Sequence, residues 1–112
     1  MKYSESLKKN RDFQNVYKKG KSYANRYLVM YVLKNETDRN RLGISVSKKV
    51  GNSVERNRAR RLMKENYRFL KDYIKSGYDL IFIARKNING KKLRDVEKSM
   101  VNSVSKAKLY KR

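Results

Sequence analysis

Cysteine, histidine, proline and tryptophan are all absent from the 112 residues of this chain. Without Cys there is no disulfide framework, no thiolate nucleophile and no Cys-based zinc site. Without His as well, neither a Ser-His-Asp nor a Cys-His arrangement can be built, and a His-based metal site is excluded. Acids are scarce, with ten Asp and Glu against 31 Lys and Arg. They are also scattered: no D-x-D or E-x-x-H cluster arises, and most stand at helix starts or beside Lys and Arg, where capping and exposed pairing explain them. The expectation is therefore no catalytic residue and no metal-binding residue in this chain. Lys48 and Lys49 lie near Gly51 but lack the spacing of a P-loop. No segment approaches the ~18 apolar residues of a membrane span, and the start MKYSESLKKNRDF lacks the apolar core of a secretory signal. These absences predict a soluble, cytoplasmic protein with no membrane partner.

What the chain has in excess is positive charge. A formal charge of +21 imposes self-repulsion that an anionic partner would relieve, and nucleic acid is the leading candidate on charge alone. The length suits one modest core, and no Pro-, Gly- or Ser-rich linker divides the sequence, so residues 1–112 read as a single domain.

Local patterns predict the elements. Asn10 reads as an N-cap, Asp12 complements the helix dipole, and Gly20 follows Lys18 and Lys19 as a stop, giving a short helix with Phe13, Val16 and Tyr17 on one face. Ser22 to Leu33 carries the richest β signal, with room for a short leading strand. The polar run Lys34 to Asn40 reads as a turn into a second strand, Arg41 to Ser47, and the two strands are expected to form a hairpin. In the second strand Leu42, Ile44 and Val46 alternate with Gly43, Ser45 and Ser47, so one sheet face is bulky and the other small, which makes a groove. Tyr78 to Ala84 is nearly all apolar, as for a buried central strand. After the Asn89-Gly90 turn, Leu93, Val96, Met100, Val104 and Ala107 recur at helical spacing. The order α, β, β, α, β, α predicts an α/β (α+β) two-layer sandwich with a small mixed sheet and a parallel strand-helix-strand crossover.

Between the second and third strands lies the most charged segment. Asn52 as N-cap and Glu55 three residues later nearly match a capping box. At roughly 100° per residue, Ala59, Leu62, Met63, Asn66, Phe69, Leu70 and Tyr73 gather on the side expected to enter the core. Arg56, Asn57, Arg58, Arg60, Arg61, Lys64 and Arg68 sweep the other, and Lys48 and Lys49 precede them. Such a face can neutralise several phosphates, with bidentate contacts from Arg, and a helix has little other reason to concentrate this repulsion. These basic and amide side chains are the candidate RNA contacts. Glu55 and Glu65 interrupt the run without dividing the face.

Nine Tyr and three Phe supply flat surfaces on which unpaired bases can stack, for about 1 to 3 kcal/mol per base. Most aromatics at strand or helix spacing are core residues. Phe13, Tyr17 and Tyr31 are distinguished by standing beside the small-residue strand face of a highly basic chain, as a single-stranded RNA groove requires.

The segment NSVERNRARRLMKENYR at Asn52 to Arg68 resembles the RNR motif of the bacterial ribonuclease P protein family. The flanking pieces agree: KNRDFQNVYKKGKSYANRYLVMYV at Lys9 to Val32, RLGISVSKKVGNSV, and YDLIFIARK at Tyr78 to Lys86 resemble that family's first helix and strands. The resemblance covers essentially the whole chain. It implies the protein component of an RNA enzyme that removes the 5′ leader of precursor tRNA by Mg2+-dependent phosphodiester hydrolysis. In that enzyme the RNA subunit performs the chemistry and binds most of the metal. The resemblance further implies that Arg56, Asn57, Arg58, Arg60, Arg61 and Lys64 face the RNA subunit, that Phe13, Tyr17 and Tyr31 hold the leader, and that the crossover is left-handed, against the usual rule. Ribonuclease P RNA and precursor tRNA are the implied partners, with no stable protein partner. A ribosomal or RNA-chaperone protein would share the charge and the basic helix but has little use for a leader groove. A membrane-active cationic peptide is disfavoured by the buried-strand runs.

Overall fold

The most apolar segment of the chain, Tyr78–Ala84, takes the centre of a five-stranded sheet. A computed structural model describes residues 4–111, so both ends of the 1–112 span fall outside the described residues. In chain order the elements are β1 (Ser4–Ser6), α1 (Asn10–Lys19), β2 (Lys21–Ala24), β3 (Leu28–Lys34), β4 (Asn40–Ser45), α2 (Ser53–Leu70), β5 (Tyr78–Ala84) and α3 (Leu93–Lys106). Short 3-10 turns occupy Lys71–Tyr73 and Lys86–Ile88. The strand order is β1-β4-β5-β3-β2, with β1, β4 and β5 parallel and β3 antiparallel to both β5 and β2. The chain is thus mixed α/β, as its pattern predicts, with the short leading strand as β2 at one sheet edge and an unexpected short strand, β1, at the other.

The hairpin expected between the strands now seen as β3 and β4 does not form. β5 inserts between β3 and β4 and pairs with both. Leu80, Ile81 and Phe82 are fully buried, and a strand this apolar loses least when both its edges and both its faces are covered. The hairpin that does form joins β2 to β3, around Asn25. That Asn side chain donates to the Ser99 carbonyl at 2.9 Å and to Ser103 Oγ at 3.0 Å, which fastens the turn to α3. β4 also ends two residues early, at Ser45, although Val46 remains buried. On α1 the N-cap is Lys9, and Asn10 is the first helical residue.

Two apolar clusters lie on opposite faces of the sheet. The larger joins Leu28, Met30, Leu80 and Phe82 to Met63 and Leu70 of α2 and to Val96, Met100 and Val104 of α3. The smaller holds Leu7, Val16 and Ile81, with Phe13, Tyr17, Tyr31, Leu33 and Ile83 packed against it. The two parities of β3 are thereby divided: Leu28, Met30 and Val32 face the two long helices, and Tyr31 and Leu33 face α1.

The α2 capping box is complete: Asn52 Oδ1 accepts from the Glu55 backbone N–H at 2.9 Å, and Glu55 Oε1 accepts from the Asn52 N–H at 2.9 Å. The buried residues of α2 are Ala59, Met63, Asn66, Tyr67 and Leu70, an arc of about 100° at the helical repeat. Phe69 and Tyr73 do not enter the core and are 61% and 65% exposed. Tyr67 takes that role, its ring 6.4 Å from Phe82. Phe69 lies about 60° outside the Asn66 edge of this arc, and the helix ends at Leu70, so Tyr73 follows a tighter turn.

Candidate nucleic-acid interface

On the small-residue face of β4, Gly43 takes the ring of Phe13 from α1 in close contact. An added Cβ at Gly43 would stand 2.7 Å from Phe13 Cε1 and 3.2 Å from Leu7 Cδ1, so only Gly admits the Phe13 ring at this distance. Val16, one turn on, is fully buried. Tyr17 meets Tyr31 edge-on at 5.0 Å and 75°, and Phe13 lies 6.4 Å from Tyr17. The three aromatics proposed from the sequence are therefore brought together, each half-buried.

Burial pushes the Tyr17 phenol above its ordinary pKa; a hydrogen bond with the Ser45 side chain acts the other way, and Tyr31 adds to the rise. Tyr17 is thus a neutral phenol at physiological pH, with no anionic charge to repel a phosphate. Beyond these rings the sheet continues as a row of half-buried residues, Ser45, Ile83 and Val29, joined through the β4–β5 and β5–β3 registers. Aromatic edges beside a shallow small-and-aliphatic floor suit unstacked bases. Sequence reasoning missed Ile83 and Val29, because their place in this row depends on β5 lying between β4 and β3.

An ion pair with one buried member lies on the same sheet face, at the opposite end from Ser45. Asp79 is 2% exposed and accepts from Arg41 Nε at 2.8 Å, from Arg41 Nη2 at 2.7 Å and from Asn35 Nδ2 at 2.9 Å. Arg41 also lies 3.6 Å from Asp12 of α1. The carboxylates of Asp12 and Asp79 are both engaged by one guanidinium. Glu55 and Asp95 cap helices, and Glu65 pairs with Arg68 at 2.8 Å. Among the described residues no group of three or more Asp or Glu is placed to hold a metal ion.

On the outer side of α2, Asn57, Arg58, Arg61, Lys64 and Arg68 are exposed, whereas Arg56 and Arg60 are half-buried on its flank. Arg60 Nη1 donates to Asn57 Oδ1 at 3.3 Å, and Arg58 Nη2 donates to the Lys91 carbonyl at 2.6 Å, tying α2 to the segment before α3. Among the described residues Lys48, Lys49, Arg61 and Lys64 have no carboxylate at ion-pair distance. Lys48 and Lys49 are exposed in the five residues between Ser45, at the groove, and Gly51, just before the Asn52 cap. The basic face and the aromatic groove are therefore linked by a short cationic segment.

Similarity to known proteins agrees with this geometry. The ribonuclease P family model matches residues 1–108. The ribonuclease P protein component of Clostridium kluyveri is 55% identical over 107 residues, covering 94% of this chain and 96% of that protein. The corresponding protein of Clostridium botulinum strain Loch Maree is 53% identical over 105 residues, covering 93% and 95%. Among solved structures, the RNase P protein of Staphylococcus aureus superimposes with a TM-score of 0.88 at 42% identity, covering 97% of this chain and 100% of that one. The RNase P protein of Thermotoga maritima gives 0.83 at 34% identity, covering 91% and 96%. Matches of this length and identity, with solved relatives that superimpose over nearly the whole fold, leave one assignment: the chain belongs to the ribonuclease P protein family.

Proposed function

We propose that this chain is the protein subunit of a ribonucleoprotein endonuclease that removes the 5′ leader from precursor tRNA in the cytoplasm, with hydrolysis carried out by the RNA subunit. The observation that carries the reading is the pairing of two surfaces on one small fold. The exposed face of α2, with Lys48 and Lys49, docks the RNA subunit through phosphate contacts. The groove of Phe13, Tyr17 and Tyr31 takes single-stranded leader nucleotides by stacking, which tolerates any base. The cofactor is Mg2+, bound mainly by the RNA. Among the described residues no group of carboxylates is placed to hold a metal ion; Asp12 and Asp79 share Arg41, Glu55 and Asp95 cap helices, and Glu65 holds Arg68. In this reading the protein screens phosphate repulsion and holds the leader, and the divalent-ion chemistry is left to the RNA.

The test is cleavage of precursor tRNA by ribonuclease P RNA, with and without the chain, across a Mg2+ series. The protein should lower the Mg2+ needed and have no nuclease activity by itself. Cleavage by the protein alone, abolished by one carboxylate substitution, would overturn this reading.

A further inference from the structure

Phe69 and Tyr73 contribute little to the core, yet they sit where the basic face of α2 ends. Phe69 lies three turns beyond Arg58, about 16 Å along the axis at 1.5 Å per residue, on the flank whose Arg58 and Asn66 side chains reach the Lys91 and Leu93 carbonyls. Tyr73 follows one turn later. The Arg68 guanidinium stands 5.3 Å from the Phe69 ring centroid and is held by Glu65 Oε2 at 2.8 Å, so a cation is already fixed against one face of the ring. Phe69 is nevertheless 61% exposed, which leaves ring surface open.

We infer that Phe69 and Tyr73 form a second stacking site, separate from the α1 groove, for an unpaired base of the RNA that docks on α2. The inference rests on the RNA-docking reading and extends it from phosphates to a base. Charge selects the occupant: Arg61, Lys64 and Arg68 lead up to the aromatic pair and attract a polyanion, while the nearby acids are Asp72 and the paired Glu65. A second copy of this chain would bring its own +21 charge. Two rings also bury far less than the ~1,200 Å² of a stable protein interface. A base needs only one open ring face, with a cation adding to the stack.

The experiment uses the full chain and ribonuclease P RNA. Phe69→Trp would be the only tryptophan in the protein, and its emission should be quenched when the RNA is added. The double variant Phe69→Ala/Tyr73→Ala should weaken RNA binding by about 5- to 150-fold, the range for one lost stack, at an unchanged salt slope. Far-UV circular dichroism should stay native, since both side chains are exposed. Unquenched Phe69→Trp emission with unaltered affinity of the double variant would overturn the inference. So would a fall in salt slope, or a change confined to concentration-dependent sedimentation of free protein, which would mark a self-association patch. Arg61→Ala/Lys64→Ala is the parallel arm. If it weakens binding and the aromatic variant does not, only this inference fails; if neither does, the docking reading fails as well.

Discussion

Arg41 and Asp79 face each other across the parallel β4–β5 pair, the guanidinium giving the carboxylate hydrogen bonds of 2.8 and 2.7 Å. Asp79 is the buried partner at 2% exposed, while the Arg41 side chain remains 33% exposed. Through Asp12, the same guanidinium reaches α1, whose Phe13 and Tyr17 make the groove wall. The pair therefore joins the sheet centre to the helix that shapes the candidate binding surface.

Removing Arg41 should cost more than the pair contributes, because the Asp79 carboxylate is left buried without its cation. Arg41→Ala leaves the Asp79 carboxylate with Asn35 as its side-chain donor among the described residues, and because Arg41 is itself a third exposed the loss in stability should fall below the ~3 to 5 kcal/mol of a fully buried pair. Urea denaturation measures it. The double variant Arg41→Ala/Asp79→Asn should recover part of the loss; purely additive effects would show that the two residues do not act as a unit.

Gly43→Ala should damage leader binding more than folding. The added methyl collides with the outer ring atoms of Phe13, at 2.7 and 2.8 Å. The half-exposed ring has room to swing away, towards the groove. Precursor tRNA with a leader of several nucleotides should bind more weakly, with mature tRNA nearly unaffected and the melting temperature lowered only slightly. Equal weakening for both tRNAs would place Phe13 in the core alone.

Tyr31→Ala removes a ring that meets Tyr17 edge-on and should reduce leader-dependent affinity by about 1 to 3 kcal/mol if one base stack is lost. The ring also packs against the smaller apolar cluster, so some stability goes with it. The deciding comparison is precursor against mature tRNA at a temperature where the variant is fully folded.

The arginines of α2 should separate by role. Arg61 and Lys64 are exposed without carboxylate partners among the described residues, so each alanine variant should lower the slope of log affinity against log salt by about 0.7 to 0.9 and leave stability unchanged. Arg58 also donates to the Lys91 carbonyl, and Arg58→Ala should reduce both RNA affinity and thermal stability. Binding titrations across a salt series, with melting curves, distinguish the two classes.

Alkaline titration gives a further check. Burial raises the Tyr17 pKa above 10.0, and burial with Glu97 does the same for Tyr110. A raised folded pKa means that the contribution to stability is fully present below the unfolded value near 10 and is lost as pH rises through the folded value. Tyr17→Phe should remove one late-ionising tyrosine from the ultraviolet titration and reduce the loss of stability above about pH 10. A titration curve unchanged by the substitution would contradict the burial argument.

The features readable from sequence are those set by near neighbours. The capping box of Asn52 and Glu55, the cationic sweep from Arg56 to Arg68 and the apolar run of β5 depend on spacings of a few residues, which helix and strand geometry translate directly into faces. The absence of Cys and His excluded whole classes of chemistry without any fold at all. Phe13, Tyr17 and the small residues Gly43 and Ser45 could likewise be paired as wall and floor, since α1 and β4 each announce one face. Tertiary structure decided what depends on neighbours distant in sequence. The insertion of β5 between β3 and β4 replaced the expected hairpin and set Val29, Ile83 and Ser45 in one row. The rotation of α2 against the sheet put Tyr67 inside and left Phe69 exposed, because two residues that differ by a fraction of a turn compete for the same core and only the packing partner, here Phe82, chooses between them.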